Sequence, residues 1–165
     1  MFRRLMKFLS RSNPWLKRRS EKQYRVLVVC TGNTCRSPMA ETIIRHMCPG
    51  IHVESVGTFA GRNSPAAANA TLVMVRRGWH DLNTHTSRSI TEVDPKNFDL
   101  VITMTSQHLS DVMRRYSDVG YFYVLGVDDP YGGTIEEYEA CAAEMEARLR
   151  ECRPLAERQA VQHVH

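Results

Sequence analysis

The stretch Val26-Leu27-Val28-Val29-Cys30-Thr31-Gly32-Asn33-Thr34-Cys35-Arg36-Ser37-Pro38-Met39-Ala40-Glu41 decides how the rest of the chain is read. Four apolar residues, three of them β-branched, predict a buried strand. A polar turn holding Gly32 and Asn33 follows. A helix then opens, with Ser37 expected as its cap, Pro38 in its first turn and Glu41 shortly after. A cysteine therefore stands at the mouth of a strand-to-helix turn. Backbone N–H groups converge at such a turn, and the helix dipole favours an anion there. Arg36 adds a planar fork that matches phosphate geometry. The same surroundings favour the thiolate form of Cys30. A thiolate beneath an anion-binding nest is a nucleophile suited to a phosphoryl group.

Outward from this stretch, strands and helices alternate. The first strand is expected over 24–30 and the first helix over 37–48, closed by Pro49-Gly50. A second strand reads at 51–56, a loop at 57–64, and an Ala-rich helix from Ser64-Pro65 to about Arg77, ended by Gly78. Residues 79–88 read as irregular and 89–96 as a short helix with a turn. A third strand covers 98–104, a helix capped by Thr105 or Ser106 runs to Tyr116, and a fourth strand covers 121–125. After the loop 127–133, Thr134-x-x-Glu137 is a capping box that opens a long helix to about Arg153, ended at Pro154. Residues 155–165 read as a frayed tail. This alternation predicts an α/β fold, a parallel sheet with helices on both faces. Ligands of such sheets bind beyond the carboxyl ends of the strands, so the Cys30 turn and the Asp128-Asp129 loop are expected to meet at one edge.

Composition narrows the function classes. The 165 residues carry a net charge of +4, but residues 1–23 alone carry +7 and the remainder −3. The basic character belongs to an N-terminal extension, residues 1–23, and the body, residues 24–153, is mildly acidic. That argues against nucleic-acid binding by the domain. Within the extension, Phe2, Leu5, Met6 and Leu9 fall at helical spacing among Arg3, Arg4, Lys7 and Arg11. Such a segment suits an anionic membrane surface, its acid-poor composition also fits a transit peptide, and a solvated arm is the plain alternative. Five cysteines without a secretory signal fit a reduced, cytoplasmic compartment, with a peripheral membrane location if the arm engages a surface.

The turn is expected to bind phosphate with no metal and no cofactor. It lacks the Gly-Lys-Ser/Thr of a nucleotide loop, and no His/Cys/Asp cluster has zinc spacing. The His163-x-His165 pair is too small a ligand set to count. Attack by Cys30 would give a phosphocysteine, with Arg36 and backbone N–H groups stabilising the equatorial oxygens. Asp129 is placed to protonate the leaving group and then to activate water. Asp128 competes for that role, but Pro130 holds its predecessor extended, which favours Asp129; a plain turn residue is the other reading of Asp129. Cys35 is either a resolving thiol for an oxidised Cys30 or packing beneath the loop. Cys48, Cys141 and Cys152 read as structural, and Trp79 and His80 as core edge or loop. Tyr121 and Tyr123 read as core or face residues of their strand, whereas Tyr131, beside the acid, walls the cleft.

Cys30-Thr-Gly-Asn-Thr-Cys-Arg-Ser-Pro-Met-Ala-Glu together with Asp129-Pro130-Tyr131-Gly132-Gly133 resembles the low-molecular-weight protein tyrosine phosphatase family, across residues 24–153. The resemblance implies a four-stranded parallel sheet. It implies Cys30 as nucleophile, Arg36 as phosphate clamp and Asp129 as general acid, with Thr31, Gly32, Asn33, Thr34 and Cys35 completing the phosphate-binding loop. It further implies that Asn33 shapes the loop, that Ser37 donates to the thiolate, and that Ser55 and His85 hold Asn33. The substrates would be phosphorylated proteins. Thr34, Met104-Thr105-x-Gln107-His108 and the single aromatic Tyr131 before Gly132-Gly133 are similar to the protein arginine phosphatase branch. A hydroxyl at position 34 can reach a guanidinium, where an aliphatic wall packs better on a phenyl ring. Thr34 and Tyr131 are thus the expected selectivity residues, leaning to phosphoarginine, with phosphotyrosine as the alternative. A catalytically idle phosphate-binding or redox-sensing module is the reading from another class.

Overall fold

The alternation within the first strand determines where the helices lie. In a computed structural model, which describes residues 23–162, β1 spans Arg25–Cys30, and Val26, Leu27, Val28 and Val29 are all fully buried. A strand buried on both faces needs cover on both. Val26 and Val28 face one core with Met39, Ile43, Met74, Met145 and Leu149. That core is roofed by α1 (Arg36–Met47), α2 (Ala68–Arg76), α4 (Ile135–Glu151) and α5 (Arg153–Gln162). Leu27 and Val29 face a second core with Val56, Ile90, Phe98, Val101 and Val112, beneath α3 (Ser106–Arg115) and the 3-10 turns Ile90–Glu92 and Pro95–Asn97.

The sheet is completed by β2 (His52–Gly57), β3 (Leu100–Thr103) and β4 (Tyr121–Val124). All pairings are parallel and the order is β2-β1-β3-β4. The chain winds one way from β1 to β2 and the other way from β3 to β4, so the crevice beyond the C-terminal end of β1 is where this topology leaves room for a ligand. The four-stranded α/β sheet with helices on both faces is thus as expected. The basic arm, residues 1–22, and the His163-x-His165 pair lie outside the described residues. Among the described residues, no helix is long and apolar enough to cross a membrane.

Several local expectations are corrected. Ser37 is not the cap of α1: the helix begins at Arg36, its N-cap is Cys35, and no side chain caps it. The Ser37 hydroxyl is spent elsewhere, on Cys30 Sγ at 2.9 Å. The Ala-rich helix starts at Ala68 rather than Ser64-Pro65, because Pro65 bridges to Thr86 and Ala67 is extended. Tyr121 and Phe122 lie on the edge strand and are exposed, while Tyr123 packs on the core. Thr105 and the Thr134/Glu137 box cap their helices as expected.

The largest difference is at the C-terminus. Pro154 does not end a helix before a frayed tail; it sits in the first turn of α5, where a missing N–H costs nothing. Leu155 is buried in the first core, and its carbonyl lies 3.9 Å from Cys48 Sγ. Further along α5, Arg158 stacks over Tyr24, 4.4 Å from the ring centre, which ties the end of the domain to its beginning. Leu155→Ala should therefore lower the unfolding free energy by about 2–4 kcal/mol in urea titrations, whereas a frayed tail would leave it unchanged.

Candidate active site

The geometry of the turn after β1 starts from one residue held in an uncommon conformation. Asn33 has φ 55°, the left-handed region that Asn tolerates better than most residues with a Cβ. Every polar atom of Asn33 is used there. Its N–H donates to Cys30 Sγ at 3.2 Å, and its side-chain Nδ2 donates to both Ser37 Oγ and Ser55 Oγ at 2.9 Å. Oδ1 accepts from the Arg88 backbone N–H at 2.8 Å. The carbonyl oxygen lies 2.8 Å from His85 Nε2; a carbonyl can only accept, so His85 carries its proton on that nitrogen. Ser55 and His85 thus sit on Asn33 as the resemblance implied. Arg88 is an addition: its contact is a backbone one, which residue type does not signal.

Ser37 accepts from Asn33, which leaves its single hydroxyl proton for Cys30 Sγ at 2.9 Å or the Val56 carbonyl at 3.5 Å. The sulfur is the nearer. Cys30 is buried, and its sulfur lies against the Asn33 N–H of the turn and the Ser37 hydroxyl of α1. Gly57 makes this folding possible. A Cβ there would run into the Thr31 carbonyl and come within 2.9 Å of Ala60 Cβ, so only glycine lets the end of β2 pass so close under the loop.

Arg36 projects from the start of α1 into the same space. It is buried, with Nη1 on the Val127 carbonyl at 3.3 Å and Nη2 on Asp129 Oδ2 at 2.6 Å. Asp129 Oδ1 accepts from the Tyr131 N–H at 3.2 Å. The loop after β4 is therefore fastened to the turn after β1 by one guanidinium, and the two loops do meet at one edge. Between them lies a cleft of about 310 Å³ lined by Cys30, Thr31, Gly32, Thr34, Cys35, Arg36, Gly61, Ser64, Asp129 and Tyr131. Asp128 is not among these residues. Tyr131 is 74% exposed and stands at the rim.

Cys35 lies beneath the loop. It is buried, its Sγ is 3.2 Å from the Tyr138 hydroxyl, and burial pushes its thiol up from the usual value. Thr34 Oγ1 lies 3.7 Å from that sulfur, and the Thr34 carbonyl accepts from Ala67 N–H at 2.8 Å. Tyr138 was invisible as a site residue in the sequence, because it reads as one more apolar position of the helix after the capping box. All five cysteines are free thiols, and Cys48, Cys141 and Cys152 are buried in the core. Trp79 packs at the core edge, stacked on His46. Among the described residues no group of His, Cys, Asp or Glu could hold a metal ion.

A model of the family described as low molecular weight phosphotyrosine protein phosphatase matches residues 25–163. The chain is 35% identical over 137 residues to a protein-arginine-phosphatase of Geobacillus stearothermophilus, covering 76% of this chain and 91% of that protein. It is 34% identical over 122 residues to the low molecular weight protein-tyrosine-phosphatase Etp of Escherichia coli, covering 69% of this chain and 82% of that protein. The solved structure of the YwlE arginine phosphatase from G. stearothermophilus superimposes with a TM-score of 0.75 at 33% identity, covering 86% of this chain and 97% of that one.

Two outcomes follow from the support of the loop. Asn33→Ala leaves Oδ1 and Nδ2 partners unsatisfied and places alanine at positive φ; it should cost on the order of 2–4 kcal/mol of stability by denaturant titration. Second, Glu54 accepts from Arg88 at 2.9 Å, from His52 at 2.7 Å and from Arg25 at 3.2 Å. Burial raises the Glu54 carboxyl, but the His52 and Arg88 contacts outweigh it and hold the group below its usual value. Its stabilising effect is complete above the unfolded value of about 4.3 and is lost as pH falls through the lower folded value. Unfolding titrations below about pH 5 should therefore show a shallower acid loss of stability in Glu54→Gln than in the wild type.

Proposed function

The chain belongs to the low molecular weight phosphotyrosine protein phosphatase family, and we propose that it dephosphorylates phosphoarginine side chains of proteins with Cys30 as nucleophile, Arg36 as phosphate clamp and Asp129 as general acid. The observation that carries this reading is the single cleft in which Cys30, Arg36 and Asp129 converge, with Arg36 bonded to Asp129 at 2.6 Å.

The steps follow from that placement. A phosphate dianion in the loop draws the Arg36 guanidinium and the backbone N–H groups of residues 31–36 to its equatorial oxygens. Asp129 exchanges its bond to Arg36 for a proton from solvent and faces the leaving atom as the general acid. Cys30 Sγ attacks phosphorus in line, the P–N bond breaks, and Asp129 passes its proton to the departing guanidine nitrogen. The S–P bond of the phosphocysteine is broken by water, whose proton returns to Asp129, and inorganic phosphate leaves with the thiolate restored. Ser37 and Asn33 support the sulfur, and Ser55 and His85 hold Asn33.

Thr34 supports the arginine substrate. Its hydroxyl lines the cleft and has only a long sulfur contact, so it is available to a guanidinium or its water. The similarity to protein-arginine-phosphatases points the same way. Phosphotyrosine is the second reading, favoured by the similarity to low molecular weight protein-tyrosine-phosphatases. Cys35 as a resolving thiol would first have to leave Tyr138. A cytoplasmic location, and contact of residues 1–23 with an anionic membrane surface, rest on composition.

Purified protein should hydrolyse p-nitrophenyl phosphate under reducing conditions without added metal. Cys30→Ser should abolish turnover, and Asp129→Asn should lower kcat by about 10²–10⁴. Inactive wild-type protein would leave a phosphate-binding module instead. Offered side by side, a phosphoarginine peptide should be preferred to a phosphotyrosine peptide. Thr34→Ile should turn that preference toward phosphotyrosine; an unchanged ratio removes Thr34 from the argument.

A further inference from the structure

His108 lies in the first turn of α3, outside both loops, and is buried. Its two ring nitrogens are each 2.8 Å from a threonine hydroxyl: Nδ1 from Thr105 Oγ1 and Nε2 from Thr31 Oγ1. Thr31 is the residue after the nucleophile and lines the cleft. The imidazole therefore bridges a helix cap and the phosphate-binding turn.

The direction of the two bonds can be assigned. Thr105 is the N-cap of α3, and its oxygen accepts from the His108 backbone N–H at 3.4 Å. Its own hydroxyl proton then finds an acceptor in His108 Nδ1. That fixes the ring proton on Nε2, which donates to Thr31 Oγ1. The reverse tautomer would leave the Thr105 hydroxyl proton without an acceptor among the described side chains and would take from Thr31 Oγ1 the donor of Nε2. With Thr31 Oγ1 already accepting from His108, the Thr31 hydroxyl proton is free to aim into the cleft. Burial first, then the positive charge of Arg36, holds the imidazole below its usual value, so the ring stays neutral and able to accept from Thr105.

We propose that His108 is a positioning residue that orients the Thr31 side-chain hydroxyl as a hydrogen-bond donor to the bound phosphoryl group. In the proposed reaction backbone N–H groups serve the equatorial oxygens; Thr31 adds a side-chain donor whose direction is set from a separate element. A hydroxyl free to rotate would spend part of its time as an acceptor facing an anion, which is repulsive. The inference rests on the phosphatase reading for its role in turnover, but binding of phosphate tests it independently.

The test is isothermal titration of the full chain with inorganic phosphate, alongside kcat and KM on p-nitrophenyl phosphate. Thr31→Val and His108→Leu should each raise the Kd for inorganic phosphate about tenfold, the loss expected for one hydrogen bond to a charged group. The double variant should be no worse than either single one, because both remove the same bond. His108→Gln, whose amide nitrogen reaches the Nε2 position, should recover most of the affinity, whereas His108→Asn, which reaches only the Nδ1 position, should not. KM should rise with Kd in the same variants. Thr31 is an exposed loop residue, so Thr31→Val reports even if His108→Leu fails to fold. Unchanged phosphate affinity in Thr31→Val, or additive losses in the double variant, overturns the proposal. Inactive wild-type protein that still shows this pattern of Kd values overturns the phosphatase reading and leaves the positioning role standing.

Discussion

A single asparagine backbone sets the active loop. Asn33 is held at positive φ by five hydrogen bonds, whose partners lie in Cys30, α1, β2 and the segment from His85 to Arg88. The turn after β1 is thereby tied to two parts of the chain far from it in sequence, β2 and the segment from His85 to Arg88. Strain of this kind persists only where the surroundings over-determine it. Its return is geometric: the left-handed residue bends the chain so that its own N–H reaches the Cys30 sulfur. The sheet supplies the footing, since β1 pairs with β2 to the last residue and Gly57 lets the strand end pass beneath Thr31.

The contact between Arg36 and Asp129 orders the second half of the site. A buried guanidinium needs a counter-charge, and Asp129 supplies it from the loop after β4. In the proposed reaction the substrate phosphate takes over that role. The carboxylate is then released toward the leaving group, so that in the proposed reaction one arginine couples occupancy of the loop to the placement of the acid.

Much of this was legible in the sequence, for identifiable reasons. The strand, turn and helix around Cys30 carry period, turn and breaker signals at once, and the capping box of α4 specifies its own two bonds. Both-sided burial of β1 followed from its unbroken apolar run. What failed to show was tertiary. Ser37 has the residue type of a cap, but its hydroxyl goes to a sulfur that local rules do not see. Pro154 looked like a stop because a proline after a helix and a proline in the first turn of the next are the same letter. β4 alternates aromatics like an interior strand, yet lies at the edge, where Tyr121 and Phe122 meet water. His108, Tyr138 and the Arg88 N–H touch the site only because α3, α4 and the segment after His85 pack there.

The hydroxyls around the loop suggest how one scaffold can be turned toward different phosphorylated side chains without moving its chemistry. In the proposed reaction Cys30, Arg36 and Asp129 act on phosphorus and on the atom that leaves it, and neither task requires a phenyl ring or a guanidinium in particular. Discrimination must then come from groups that touch the substrate beyond the phosphate. In this chain those positions carry oxygen: Thr34 on the loop, Ser64 on the facing wall and the Tyr131 hydroxyl at the rim. A guanidinium keeps several N–H donors even after one nitrogen has carried the phosphate, and a wall without acceptors would strip their water and return nothing. A phenyl ring loses less against an aliphatic wall than against hydroxyls that need hydration. In the proposed function the polar lining thus favours the substrate with donors to satisfy, and it does so through the desolvation of side chains rather than through the phosphoryl transfer itself.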